Sequence, residues 1–206
     1  MSQGIKQFYA NGAMMNSPSG SEQVIQVGTT GGTDARYNPI YEFYEYYWTG
    51  QILEQSDINL SGLVRKIAFY QQNTSATEYT INDLTIKMGH IGSNIFPVSA
   101  VKEDFTQIIG VSNLVTVFDG TFVRTAGVGW KEITLDTEFS YNNTDNLIIK
   151  FEYKNGAYKS PSSQNAEWSY DSRNNASALE YSASSYPVTL GARQNYVPTT
   201  KLTIFG

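Results

Sequence analysis

Between Ile81 and Tyr153 the chain sets short β-rich runs one after another, each ended by Gly, Asn or Asp, with gaps too short for helices of ordinary length. The runs are Leu84–His90, Leu114–Gly120, Gly129–Leu135 and Asn146–Tyr153. In the first, Leu84, Ile86 and Met88 fall on one face and Thr85 and Lys87 on the other, the pattern of a half-buried strand. This spacing predicts an all-β fold of antiparallel strands, a jelly-roll-like β-sandwich with at most one short helix. A chain of 206 residues can bury a core of its own, and with no cysteine it must do so without disulfides.

The flanking segments fit around that centre. Residues 1–36 read as an N-terminal arm and first strand, and residues 37–206 as the β-sandwich domain. In Leu63–Gln72 the alternation Leu63, Ile67, Phe69 is interrupted by Arg65, which predicts a bulge or a strand that starts only at Lys66. Phe105, Ile108 and Ile109 have helical spacing behind Glu103 and Asp104, so a short helix or turn over residues 102–109 is expected as a plug between strands. From Lys154 to Leu190 the composition shifts to Ser, Asn, Ala and Tyr, and only Glu167–Tyr170 and Ala178–Tyr181 read as short strands. Such a segment is expected to be exposed and contact-making. Lys201–Phe205 should return as a terminal strand.

Composition excludes some functions. Charged residues make up 16% of the chain, against about 25% in an ordinary domain, while tyrosine occurs 15 times. Neutral hydrogen-bonding groups therefore carry solubility, which suits an outer coat or a wet interface. With 14 Lys plus Arg, a net charge of −5 and no basic cluster, nucleic-acid binding is not expected. No run approaches the roughly 20 apolar residues of a bilayer-spanning helix, so membrane insertion is not expected either. Met1–Lys6 lacks the basic-then-apolar pattern of an export signal, so either a signal has been removed or the chain reaches its place without one.

The sequence assigns no catalytic residue, no cofactor-binding residue and no metal ligand. His90 is the single histidine and reads as structural, with no partner for a metal or a triad. Glycosidase chemistry needs two carboxylates across a cleft, and no spacing pairs any two of Asp119, Glu132, Asp136, Glu138, Asp145, Glu152 and Glu167. A mixed-oxygen calcium site around Asp136–Asp145 stays open beside the simpler reading of turns that bond their own backbone. Tyr41–Trp48 is the densest aromatic run, and alternation would place Tyr41, Phe43 and Glu45 on one face and Glu42, Tyr44 and Tyr46 on the other. Such a strand is either covered on both sides or lies in an interface. Trp130 heads an alternating strand and is assigned to the core. The glycan or protein contact candidates are Trp168, Tyr158, Tyr170 and Trp48, with Trp168 first because its neighbours are polar.

Tyr37-Asn38-Pro39, Leu63–Phe69, Leu84–His90 ending in Met-Gly-His, Val117-Phe118-Asp119-Gly120, Gly129–Leu135 with its Gly-Trp, and Phe139–Leu147 occur in an order that resembles a β-sandwich module of secreted and surface proteins of Bacteroidota. The resemblance covers about Tyr37 to Phe205 and implies a non-catalytic, adhesive or carbohydrate-associated unit. As a stand-alone copy it resembles a bacteriophage virion component, a capsid decoration, head-fibre or tail-associated protein. The expected place is then the virion surface. The expected partners are other virion proteins or further copies, engaged through residues 1–20, together with host surface polysaccharide. Two alternatives stand beside this: a carbohydrate-binding module of a secreted or cell-surface bacterial protein, and a glycoside hydrolase.

Overall fold

The computed structural model describes residues 20–31, 33–35, 37–105, 108, 114–154, 158–187 and 190–206, together with the pairs 9–10 and 13–14. Two short strands, β1 (Tyr9–Ala10) and β2 (Ala13–Met14), pair with each other. The main sheet opens with β3 (Glu22–Val27), β4 (Thr33–Ala35) and β5 (Tyr46–Leu53), followed by the one-turn helix α1 (Gln55–Ile58), β6 (Gly62–Gln71) and β7 (Tyr79–Ile91). Then come β8 (Ala100–Val101), β9 (Val115–Arg124), β10 (Gly129–Tyr141), β11 (Asn146–Tyr153), β12 (Trp168–Ser182), β13 (Gly191–Pro198) and β14 (Thr200–Phe205). The fold is all-β, and its strand pairs are antiparallel, as the spacing predicts.

The hydrogen-bonded path runs β3-β14-β6-β12-β5-β11-β7-β9, with β10 on the other edge of β6 and β13 beside β12. It folds back so that β6, β10 and β14 face β5, β7 and β11 across one apolar core. The ring of Phe69 on β6 meets that of Phe151 on β11 edge-on, centroids 5.3 Å apart. The expected bulge is present. Pairing of β6 with β10 jumps from Lys66–Thr134 to Val64–Phe139, and with β14 from Lys66–Thr203 to Val64–Ile204. Arg65 is thereby turned outward to Glu138, 2.7 Å away, while Val64 and Ile67 both stay buried.

The outer face of β5 and β11 is also covered. Trp48, Ile52, Ile148 and Ala178 pack there against Phe96, Val101, Phe105 and Ile108 from the β7–β9 connection. Every residue of β5 after Tyr46 is buried, which answers the question of a strand covered on both sides. The plug over 102–109 therefore exists, but its described part is a turn. Phe105 sits at φ 57° with its N–H donating to Lys102 carbonyl at 3.1 Å, and the α-helix among the described residues is α1 instead. The arm expected over residues 1–20 falls outside the described residues, apart from the β1–β2 pair and Gly20.

The segment expected to be exposed is corrected most. Two short strands in a contact loop become one 15-residue strand, β12, that crosses the centre of the sheet. Its first residue pairs with Gln71 of β6, and Ser177–Ser182 pair with β5. Asn175 at φ 53° bends it where the pairing with β13 shifts. Ala178 in this strand is small where the rings of Trp48, Phe96 and Phe105 gather. A Cβ on neighbouring Gly191 would come within 2.5 Å of both the Leu179 carbonyl oxygen and the Trp48 ring. Gly191→Ala is therefore expected to destabilise the fold by about 1–3 kcal/mol, read as a lower urea midpoint followed by tryptophan fluorescence.

Candidate functional site

The run Tyr41–Trp48 splits in two. Tyr46 begins β5, whereas residues 37–45 form a segment without regular strand pairing, so the expected alternation of faces does not apply before Tyr46. A segment like this must find partners for its backbone carbonyls wherever it is buried. Here the core aromatics supply them. Trp168 Nε1 donates to Ile40 carbonyl at 3.0 Å, the Tyr47 hydroxyl donates to Tyr37 carbonyl, and the Tyr153 hydroxyl donates to the carbonyls of Tyr41 and Tyr44. Burial pushes the hydroxyls of Tyr47 and Tyr153 well above the usual phenol range, so they remain donors.

The fourth anchor is ionic. Glu42, fully buried, receives both Nε and Nη2 of Arg124, Nζ of Lys159 at 3.2 Å and the backbone N–H of Ala166 at 3.2 Å. Arg124 reaches on to Gln71 Oε1 at 2.9 Å and to Thr77 carbonyl. One carboxylate thus ties residues 37–45 to the ends of β6, β9 and the stretch before β12. An arginine fork satisfied on this many sides meets the geometric condition for tolerating buried charge.

Held from beneath in this way, the segment turns its rings outward. Tyr41 touches Tyr37, Phe43, Tyr44 and Tyr181, with centroids at 4.8, 6.2, 5.4 and 5.3 Å. Tyr44 stacks on Tyr181 at 4.4 Å, and Tyr158 leans on Phe43 at 4.7 Å. Tyr37 and Tyr158 are 44% and 48% exposed. Beside this face lies a groove of about 160 Å³ lined by Tyr37, Leu179, Tyr181, Gln194 and Tyr196. This tyrosine face is the candidate site.

Of the four contact candidates, the structure brings two to this region. Tyr158 belongs to the face, and half-buried Tyr170 touches Tyr196 of the groove wall at 5.0 Å. Trp168 and Trp48 are corrected. Both are fully buried, Trp168 edge-on to Phe69 and Trp48 against Phe105 with its Nε1 on Pro187 carbonyl at 3.1 Å. The polar neighbour that suggested exposure at Trp168, Ser169, is itself buried and donates to Thr29 carbonyl at 2.8 Å. Trp130 is corrected in the opposite sense. It lies half-buried on the outer face of β10, with Lys201 Nζ 4.1 Å from its ring centroid, because Lys131, Ile133 and Leu135 take the inward positions. The alternation contained this answer, since Trp130 is out of phase with Ile133 and Leu135.

Several other titratable groups are tied into the structure. His90 packs on Phe139 and Tyr141, and its Nε2 accepts from Asn142 N–H at 3.3 Å. In the turn considered for calcium, Asn142 Oδ1 accepts from the N–H groups of Thr144 and Asp145, and Asp136 Oδ2 accepts from Asp119 N–H. The Asn142 bonds are those of a turn holding its own backbone, and the Asp136 bond links β10 to β9. Among the described residues no three His, Asp or Glu side chains gather as a metal would require, and no helix is long and apolar enough to cross a membrane. On the outer face of β11, Glu152 binds Lys150 at 2.6 Å, Lys87 at 2.8 Å and the Tyr186 hydroxyl at 2.7 Å. Burial alone would raise its pKa, but Lys150, Lys87 and Tyr186 outweigh burial and hold it down to about 2.

Two outcomes follow from these networks. Glu42→Gln leaves Arg124 and Lys159 buried without their anion, and a loss of about 3–5 kcal/mol is expected in urea unfolding. Because the carboxyl of Glu152 is depressed in the folded state, its contribution is fully present above about pH 4.5 and disappears as pH falls toward 2. The stability gap between the wild type and Glu152→Gln should narrow over that interval, measured as urea midpoints at successive pH values. No protein-family model matches the chain and no curated protein matches it.

Proposed function

We propose that this chain is a non-enzymatic contact domain, a jelly-roll-like β-sandwich that works by presenting its tyrosine face to a host surface. The observation that carries this reading is the interlocked, partly exposed array of Tyr37, Tyr41, Tyr44, Tyr181, Phe43 and Tyr158 on a segment fixed from below. Tyrosine offers large amphipathic contact area at small entropic cost, and prior anchoring lowers the ordering cost of binding further. Among the described residues the two buried carboxylates, Glu42 and Glu152, are each engaged by cations that serve the fold, which favours contact over bond-breaking. The setting we propose is the outside of a phage particle, supported by the resemblance described above and by the low charge content of 16%.

A second reading, a carbohydrate-binding module of a secreted or cell-surface protein, is favoured by the groove at the margin of the face. Both readings place recognition at the same rings. Fluorescently labelled protein is expected to adsorb to encapsulated Bacteroidota cells, and the pair Tyr41→Ala with Tyr44→Ala to reduce adsorption at least about tenfold, the effect of losing roughly 1.4 kcal/mol. Equal adsorption by a folded double variant and the wild type would overturn the reading.

A further inference from the structure

The groove beside the tyrosine face has a chemistry of its own. On one face of β12 and β13, Ser177, Leu179 and Tyr181 alternate beside Ala192, Gln194 and Tyr196, with Ser177 paired to Gln194 and Leu179 to Ala192. This is the core-facing side, since Leu179 belongs to the apolar core and Tyr181 and Tyr196 pack against it. Toward its end the same side leaves the cover of the opposite layer, and Tyr37 stands over it from the anchored segment. Aliphatic residues give way there to phenols and an amide.

We infer that this groove binds one ring of a neutral saccharide, with Tyr37 and Tyr181 supplying ring faces and hydroxyls, Gln194 an amide and Leu179 the floor. The inference rests on the contact-domain reading and names the ligand class of its site. Three observations carry it. Among the described residues the lining has no carboxylate, ammonium or guanidinium. Two charges on the lining strands point elsewhere: Glu180 lies on the opposite side of β12 with Oε1 on Tyr181 N–H, and the Arg193 guanidinium donates to Phe96 carbonyl at 2.9 Å. Second, the polar groups are available, because the hydroxyls of Tyr37 and Tyr181 and the Gln194 amide make no hydrogen bond within the described residues. The Tyr196 hydroxyl is buried without a partner, so that residue offers its ring.

Third, size and placement select the ligand. A volume of about 160 Å³ is below the ~300–1,000 Å³ that encloses a drug-sized molecule, and suits a single pyranose unit of a longer chain. The groove lies on a sheet face, lined by side chains of β12 and β13 and not by a strand edge. A sugar ring needs no strand edge, since its C–H face lies on an aromatic ring and its hydroxyls reach phenol and amide. Burial and the neighbouring Tyr44 and Tyr37 raise the Tyr181 hydroxyl above its ordinary pKa, which keeps it a neutral donor.

The test is calorimetric titration of the whole chain with soluble neutral glucan, mannan and galactan oligosaccharides, beside an acidic polysaccharide fragment. At least one neutral oligosaccharide is expected to saturate the protein. The pair Tyr37→Phe with Tyr181→Phe, which removes only two hydroxyls that make no bond within the described residues, should weaken it about tenfold without changing the thermal midpoint. Trp130→Ala, on the outer face of the opposite layer, should leave affinity unchanged. Failure of all three neutral series to bind, preference for the acidic fragment, or loss of binding in Trp130→Ala but not in the phenylalanine pair would overturn the inference. If cells still adsorb the protein through Tyr41 and Tyr44 in any of those cases, the contact reading survives while the saccharide assignment falls.

Discussion

Everything at the tyrosine end of the molecule depends on one requirement: the carbonyls of an irregular segment must be satisfied where no neighbouring strand can do it. Core aromatics meet it with their polar ends. Trp168, Tyr47 and Tyr153 bury their rings between the layers and point an indole N–H or a hydroxyl at Ile40, Tyr37, Tyr41 and Tyr44. These side chains fill the core and fix the site at once. The Glu42–Arg124 fork adds the one strongly directional link, and with it the ends of several strands share a single carboxylate.

The same economy governs the rest of the core. A strand buried on both faces must match large rings with small neighbours, and Gly50, Ala178 and Gly191 provide the flat ground on which Trp48, Phe96 and Phe105 rest. Buried charge is paired at Glu42 and Glu152, whereas the buried ammonium of Lys131 is held by the Thr125 hydroxyl and the Ala126 carbonyl. Lys150 lies beside Glu152 on a nearly buried surface, and burial lowers its pKa against the opposing pull of that carboxylate.

The fold class was legible because its signal is local. Alternation in β7 and β10 and the interruption at Arg65 translate directly into register, and the bulge appears where the pattern breaks. The site was less legible, for identifiable reasons. Trp168 sits among Asn165, Glu167 and Ser169, and a local window cannot see that Asn165 and Ser169 are buried by a distant segment. Trp130 was readable in principle, since its phase against Ile133 and Leu135 already points it outward, but its place at the head of an alternating strand suggested the core. The split of Tyr41–Trp48 into segment and strand carries no local signal at all; it is imposed by tertiary anchors more than 100 residues away, |i−j| = 112 for Tyr153 and 128 for Trp168. The small-residue stretch in β12 looked like loop composition, and at Ala178 smallness answers to rings elsewhere in the chain.

The path of β12 also governs how the molecule can come apart. One end of this strand bonds to β6 and the other to β5, so the two layers are stitched by a continuous backbone as well as by their shared apolar filling. Neither layer can peel away while the other stays intact, because any gap opening between them would tear the ladder of the strand that belongs to both. Amide protons across the two layers should therefore exchange with solvent as one cooperative block. A surface fastened to such a block keeps its shape until the whole molecule gives way.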